Sequence, residues 1–78
     1  MAKSLRTKRH RALTSVIRAT RIDRGLTQRE LSAKLRRAPN YITKIETGER
    51  RLDTVEFFDI ADALGVDPIV LFTRVANW

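Results

Sequence analysis

Gln28-Arg29-Glu30-Leu31-Ser32-Ala33-Lys34-Leu35-Arg36-Arg37-Ala38-Pro39-Asn40-Tyr41-Ile42-Thr43-Lys44-Ile45-Glu46-Thr47 is the stretch that decides the fold. Leu31 and Leu35 fall four apart, and Tyr41, Ile42 and Ile45 recur at one, three and four, so each half reads as a short helix with one apolar face. The link between them is too short for the two helices to lie antiparallel. They must cross steeply, with small Ser32 where the backbones approach and Leu31, Leu35, Ile42 and Ile45 filling the wedge. Thr27 and Glu30 open the first helix as a capping box, hydroxyl and carboxylate each satisfying a backbone amide. Pro39 is expected at the first position of the second helix, where its φ is pre-set and its missing amide costs nothing. Thr47-Gly48 ends it.

The flanks follow the same logic. Leu13, Val16, Ile17 and Thr20 lie on one face of an earlier helix, closed by Gly25, with Arg21 and Arg24 suiting the negative end of its dipole. Asp53 and Glu56 cap a later helix whose stripe is Phe57, Ile60, Ala61 and Leu64, stopped by Gly65. Asp67-Pro68 opens a last helix through Ile69, Leu71, Phe72 and Val75 to Trp78. No segment alternates with period two over a useful length. The expected fold is all-α, a compact five-helix domain with a helix-turn-helix at about 28–47. A basic arm over 1–11 (Lys3, Arg6, Lys8, Arg9, Arg11) precedes a domain over 12–78. The arm is either disordered or a basic extension of the first helix, and His10 within it is expected to be solvated. Phe58, Val70, Val75 and Trp78 either close the core or form a dimer seam.

Composition narrows the function. A chain of 78 residues supports one small domain. With no cysteine and one histidine, it has no disulfide scaffold, thiolate metal site, cysteine nucleophile or multi-histidine zinc site. Its longest apolar run, Ile69 to Phe72, is far short of the ~20 residues of a membrane span. The basic N-terminus has no apolar stretch behind it to make a secretory signal. A soluble cytoplasmic protein is expected, without cofactor, metal or small-molecule substrate. No nucleophile–base pair or phosphate loop supports catalysis, and Glu46 with Glu49 has no pocket to act in.

Charge points to the partner. Residues 1–51 carry 15 basic and 4 acidic side chains, and residues 52–78 carry 1 basic and 5 acidic, giving +11 and −4 and together +7. A basic half backed by an acidic half is the footprint of a polyanion binder.

Leu26-Thr27-Gln28-Arg29-Glu30-Leu31, Tyr41-Ile42-Thr43-Lys44-Ile45-Glu46-Thr47-Gly48 and Ile60-Ala61-Asp62-Ala63-Leu64-Gly65-Val66 together resemble the Cro/lambda-repressor (XRE-type) DNA-binding domain. The match runs from about Leu13 to Phe72. The resemblance implies a third helix that enters the major groove of double-stranded DNA, in a bacterial or phage repressor that binds as a homodimer. Carried over by position, Pro39, Asn40, Thr43 and Lys44 face base edges, and Gln28 donates to a backbone phosphate. Arg21 and Glu46 form an ion pair tying the first helix to the third, with Arg21 also near phosphate. Helical geometry agrees, because positions 40, 43, 44 and 47 lie opposite Ile42 and Ile45. Asn40 can bond adenine bidentately, Lys44 can reach guanine acceptors, and the Thr43 methyl can touch a thymine methyl.

The chain departs from the family pattern in two respects. Arg36 and Arg37 stand where the family turn has Gly followed by an aliphatic residue, and Ala38 replaces a Ser or Thr cap, each costing about 1 kcal/mol. The two arginines are read as phosphate contacts beside the recognition face, with Tyr41 as packing and a peripheral phosphate contact. The leading expectation is a dimeric repressor on an inverted repeat, occluding polymerase because the chain has no room for a ligand-binding domain. The alternative is an antitoxin- or anti-activator-type regulator whose acidic half (Asp53, Glu56, Asp59, Asp62, Asp67) docks a basic protein.

Overall fold

Thr7 caps the first helix. Its side-chain oxygen accepts from the His10 amide at 3.1 Å, and α1 runs Lys8–Asp23 from that cap. The computed structural model describes residues 7–78, so the part of the expected arm that holds Lys3 and Arg6 lies outside the described residues. Lys8, Arg9 and Arg11 form the first turn of α1. A Thr N-cap is enough to start the helix ahead of its first large apolar residue, Leu13.

Four more helices follow: α2 Gln28–Lys34, α3 Tyr41–Glu46, α4 Thr54–Leu64 and α5 Pro68–Ala76. All described residues outside them are turns, bends or irregular chain. Both expected capping boxes form: Thr27 with Glu30 at α2, and Asp53 with Glu56 at α4. Asp67 accepts from the Ile69 amide, with Pro68 opening α5.

Two apolar clusters hold the helices together. Ile17, Leu31, Tyr41, Ile42, Ile45, Ile60 and Leu64 form one, under α2 and α3. Ala12, Val16, Phe57, Ala61, Leu71 and Val75 form the other, between α1, α4 and α5. Leu13, Leu52 and Val66 pack against both and join them. Ile42 and Ile45 are fully buried, each contributing about 1.5–3 kcal/mol, so α3 has no freedom to rotate about its own axis.

Two local expectations need revising, and one open alternative narrows. Pro39 is not the first residue of α3. Ala38 to Tyr41 is a tight turn, closed by the Tyr41 amide on the Ala38 carbonyl at 3.0 Å, and α3 starts at Tyr41. His10 is half-buried, and its Nε2 is sealed from solvent without a hydrogen-bond partner. Burial and the nearby Arg51 charge lower its pKa. Of the four residues expected at the core edge or a dimer seam, only Val75 is buried, while Phe58, Val70 and Trp78 are exposed.

Candidate nucleic-acid interface

The turn between α2 and α3 is built on backbone bonds. The Arg37 amide donates to the Ser32 carbonyl and the Arg36 amide to the Ala33 carbonyl, both at 3.0 Å, closing α2 in a Schellman motif. That motif requires a left-handed residue, and Arg36 supplies it at φ 56°. Gly25 makes the same closure of α1 at φ 72°, where the absence of a side chain makes the conformation free.

Ser32 does more than leave room. It is fully buried, and its Oγ donates to the Gln28 carbonyl at 2.9 Å while accepting from the Ile42 amide at 3.1 Å. Asn40 precedes α3 without a side-chain cap bond. The Ile42 amide in the first turn of α3 is therefore capped from α2, across the wedge. Sequence reading missed this role; the one signal for it was a hydroxyl at a position that needs only small size.

A polar network fixes the other edge of α3. Arg21 grips Glu46 with two bonds, Nε to Oε2 at 2.7 Å and a terminal nitrogen to Oε1 at 3.1 Å. A third Arg21 nitrogen donates to the Leu26 carbonyl at 2.8 Å. Gln28 Nε2 donates to Glu46 at 2.9 Å, and the Thr43 hydroxyl donates to Gln28 Oε1 at 2.8 Å. Arg21, expected near phosphate as well, has a side chain only 9% exposed. Two bonds to Glu46 and one to Leu26 turn it inward, so its role here is structural. Gln28 has one Nε2 hydrogen free of this network and faces partly outward.

What the core and the network do not take, α3 presents to solvent. Pro39, Asn40, Lys44 and Thr47 are exposed, and Thr43 is half-buried, its hydroxyl turned to Gln28. At about 100° per residue, Asn40, Thr43, Lys44 and Thr47 form a stripe opposite Ile42 and Ile45. Arg36 is exposed beside it.

The opposite edge of the stripe carries an arrangement the sequence did not disclose. Tyr41 is buried, and the Arg37 and Arg50 guanidinium carbons stand over its ring at 4.7 and 4.9 Å from the ring centre. Arg50 binds both Glu56 oxygens, at 3.1 and 2.8 Å, and Arg37 approaches one at 3.5 Å. Hydrogen bonding from Arg50 holds the Glu56 carboxyl well below the usual carboxylate range, at about 2. Burial, reinforced by the Glu56 charge, raises the Tyr41 phenol. Tyr41, expected to touch phosphate at the periphery, is instead the platform beneath two arginines.

Away from this face, Leu13, Leu52, Phe57, Phe58, Ile69 and Phe72 line an apolar groove between α4 and α5. Among the described residues no cluster of three or more His, Cys, Asp or Glu is placed to hold a metal. No described helix is long and apolar enough to cross a membrane.

Comparison with known proteins gives a consistent picture. A helix-turn-helix family model matches residues 17–71. The HTH-type transcriptional regulator y4dJ of Sinorhizobium fredii is 34% identical over 53 residues, which is 68% of this chain and 69% of that protein. Among solved structures, an XRE-family like protein from Pseudomonas syringae pv. tomato superposes with a TM-score of 0.84 at 35% identity, over 99% of this chain and 96% of the other. The clp gene regulator ClgR from Corynebacterium glutamicum gives 0.81 at 27% identity, over 91% and 92%.

Proposed function

The chain belongs to the XRE-type helix-turn-helix family of transcriptional regulators, and from that premise we propose that it is a dimeric repressor reading an inverted-repeat DNA operator through α3. The family is one of regulators, not enzymes. The observation that carries the finer reading is the outward stripe on a helix that cannot turn. Ile42 and Ile45 lock it from below, and Glu46, Gln28 and Thr43 lock it from the side.

In this reading Asn40 and Lys44 recognise base edges, with the Thr43 methyl against a thymine and Pro39 limiting approach. An Asn–adenine or Lys–guanine contact discriminates by about 1–3 kcal/mol. Gln28, through its free Nε2 hydrogen, Arg36 and Arg37 hold phosphates and set register without carrying sequence information. The α4–α5 surface supports a dimer: Val55, Phe58, Ile69 and Phe72 are exposed there at 68, 45, 66 and 63%, and contiguous apolar surface of this kind marks protein contacts. Two-fold pairing would place the recognition helices about one helical turn of DNA, ~34 Å, apart. The protein-partner reading has less behind it. Asp59 and Asp62 share a shallow cleft with Lys34, Arg36 and Arg37, where they balance charge within the chain.

Selection from a random duplex library, followed by gel-shift titration of the recovered sequence against its scrambled version, tests this reading. A palindromic consensus bound at least a hundredfold tighter is expected. No preference up to micromolar protein contradicts it.

A further inference from the structure

We propose that the Arg37–Tyr41–Arg50 stack is a second phosphate-binding site, serving the DNA strand on the side of the recognition helix opposite Gln28. The inference rests on the DNA-binding reading and adds to it a residue, Arg50, and a strand.

Position around α3 is the first argument. Viewed down the helix at about 100° per residue, the exposed stripe runs from Thr43 through Thr47 and Asn40 to Lys44. Gln28 bonds Thr43 at one border of that stripe. Tyr41 lies about 60° beyond Lys44, at the other border. A helix about 10–12 Å across nearly fills a major groove about 12 Å wide, so phosphates of both strands flank it. Gln28 would meet one wall, and the guanidinium groups on Tyr41 would meet the other.

The second argument is the state of the two arginines. A guanidinium carries five N–H donors. Arg50 uses three, two on Glu56 and one on the Arg51 carbonyl. Arg37 directs one at Glu56. Their side chains are 36 and 45% exposed, so free donors coincide with solvent access. Glu56 is the one carboxylate bonded to both cations; Asp59 and Asp62 line the neighbouring cleft with Lys34, Arg36 and Arg37, and the Asp53 charge acts on Arg50. Glu56 is itself fixed by the capping box, its Oε1 accepting from the Asp53 amide at 2.9 Å. Packing Arg50 between the Tyr41 ring and Glu56 fixes its fork before any ligand arrives, and a planar fork held in advance suits bidentate phosphate binding.

The test is affinity for a duplex of unrelated sequence as a function of salt, for the wild-type chain and for R37A, R50A, Y41L, Y41F and R74A. R74A removes the same charge from exposed α5 and serves as the control. Circular dichroism of each variant monitors folding. R37A and R50A are each expected to weaken binding about fivefold and to lower the slope of log K on log salt by about 0.9, the value for one phosphate. Y41L keeps every charge but removes both the ring and the hydroxyl bond to Glu56, so an affinity loss similar to that of R50A in Y41L, with Y41F close to wild type, identifies the ring as the platform. R74A is expected to match the wild type. If folded R37A and R50A both behave as R74A does, the site is overturned while the DNA-binding reading stands. If the wild-type chain binds no duplex in a salt-dependent way, that reading fails and this site with it.

Discussion

Ser32 Oγ lies 3.1 Å from the Ile42 amide nitrogen, so α3 receives its cap from the helix that precedes it. Removing that oxygen leaves a buried amide without a partner, which costs about 1–3 kcal/mol. S32A is expected to lower the unfolding free energy by that amount in a denaturant titration. Amide exchange should show the loss locally, with Ile42 protection falling more than that of Ile45. Equal stability of S32A and wild type would mean that the hydroxyl contributes only its small size.

Arg36 holds the left-handed position at φ 56°, which for a residue with a Cβ costs about 1 kcal/mol or more. R36G should therefore raise stability by about 1 kcal/mol, read as a higher denaturant midpoint with unchanged slope. The same variant should bind every duplex more weakly if Arg36 meets a phosphate, so stability and affinity move in opposite directions.

The sequence carried the fold because its signals were local and agreed. Thr27 with Glu30, Asp53 with Glu56, and Asp67 with Pro68 each capped a helix by contacts within three residues. Ile17, Ile42, Ile45 and Ile60 fell at helical spacing and are all fully buried. The outward stripe on α3 was legible for the same reason, since whatever is not core on a six-residue helix must face out. Among the contacts that crossed between elements, the Arg21–Glu46 pair followed from the family resemblance alone, and the others were not legible. The cap from Ser32 to Ile42 spans 10 positions, and the contact between Arg37 and Glu56 spans 19. No periodicity reports such pairs. Pro39 misled because proline at a first helical position is a strong local preference, here overridden by the tight turn from Ala38 to Tyr41.

Glu56 makes stability depend on acid pH. Its folded pKa of about 2 lies below the ordinary 4.5, so its contribution is fully present above about 4.5. It is lost progressively as pH falls toward about 2. A difference of this size corresponds to roughly 3 kcal/mol. Unfolding free energies between pH 6 and pH 2.5 should fall steeply for wild type, whereas E56Q should begin lower and fall less. Parallel curves would remove Glu56 as the cause.

Glu46 receives bonds from Arg21 and Gln28 while its side chain is only 3% exposed. E46A would leave the Arg21 cation buried without its partner, a change that costs about 3–5 kcal/mol. In a domain of this size that loss should be visible as a large drop in thermal midpoint. The expected secondary effect is on recognition, because Gln28 and Thr43 lose the anchor that positions them.

The most direct test of the central claim compares two kinds of substitution on a selected operator and its scrambled counterpart. N40A and K44A should each reduce affinity for the operator about tenfold or more, with little change on scrambled duplex. R36A should weaken both duplexes by the same factor and lower the salt slope by about 0.9. If N40A, K44A and R36A instead shift both duplexes alike, the stripe from Asn40 to Thr47 is not the surface that reads DNA.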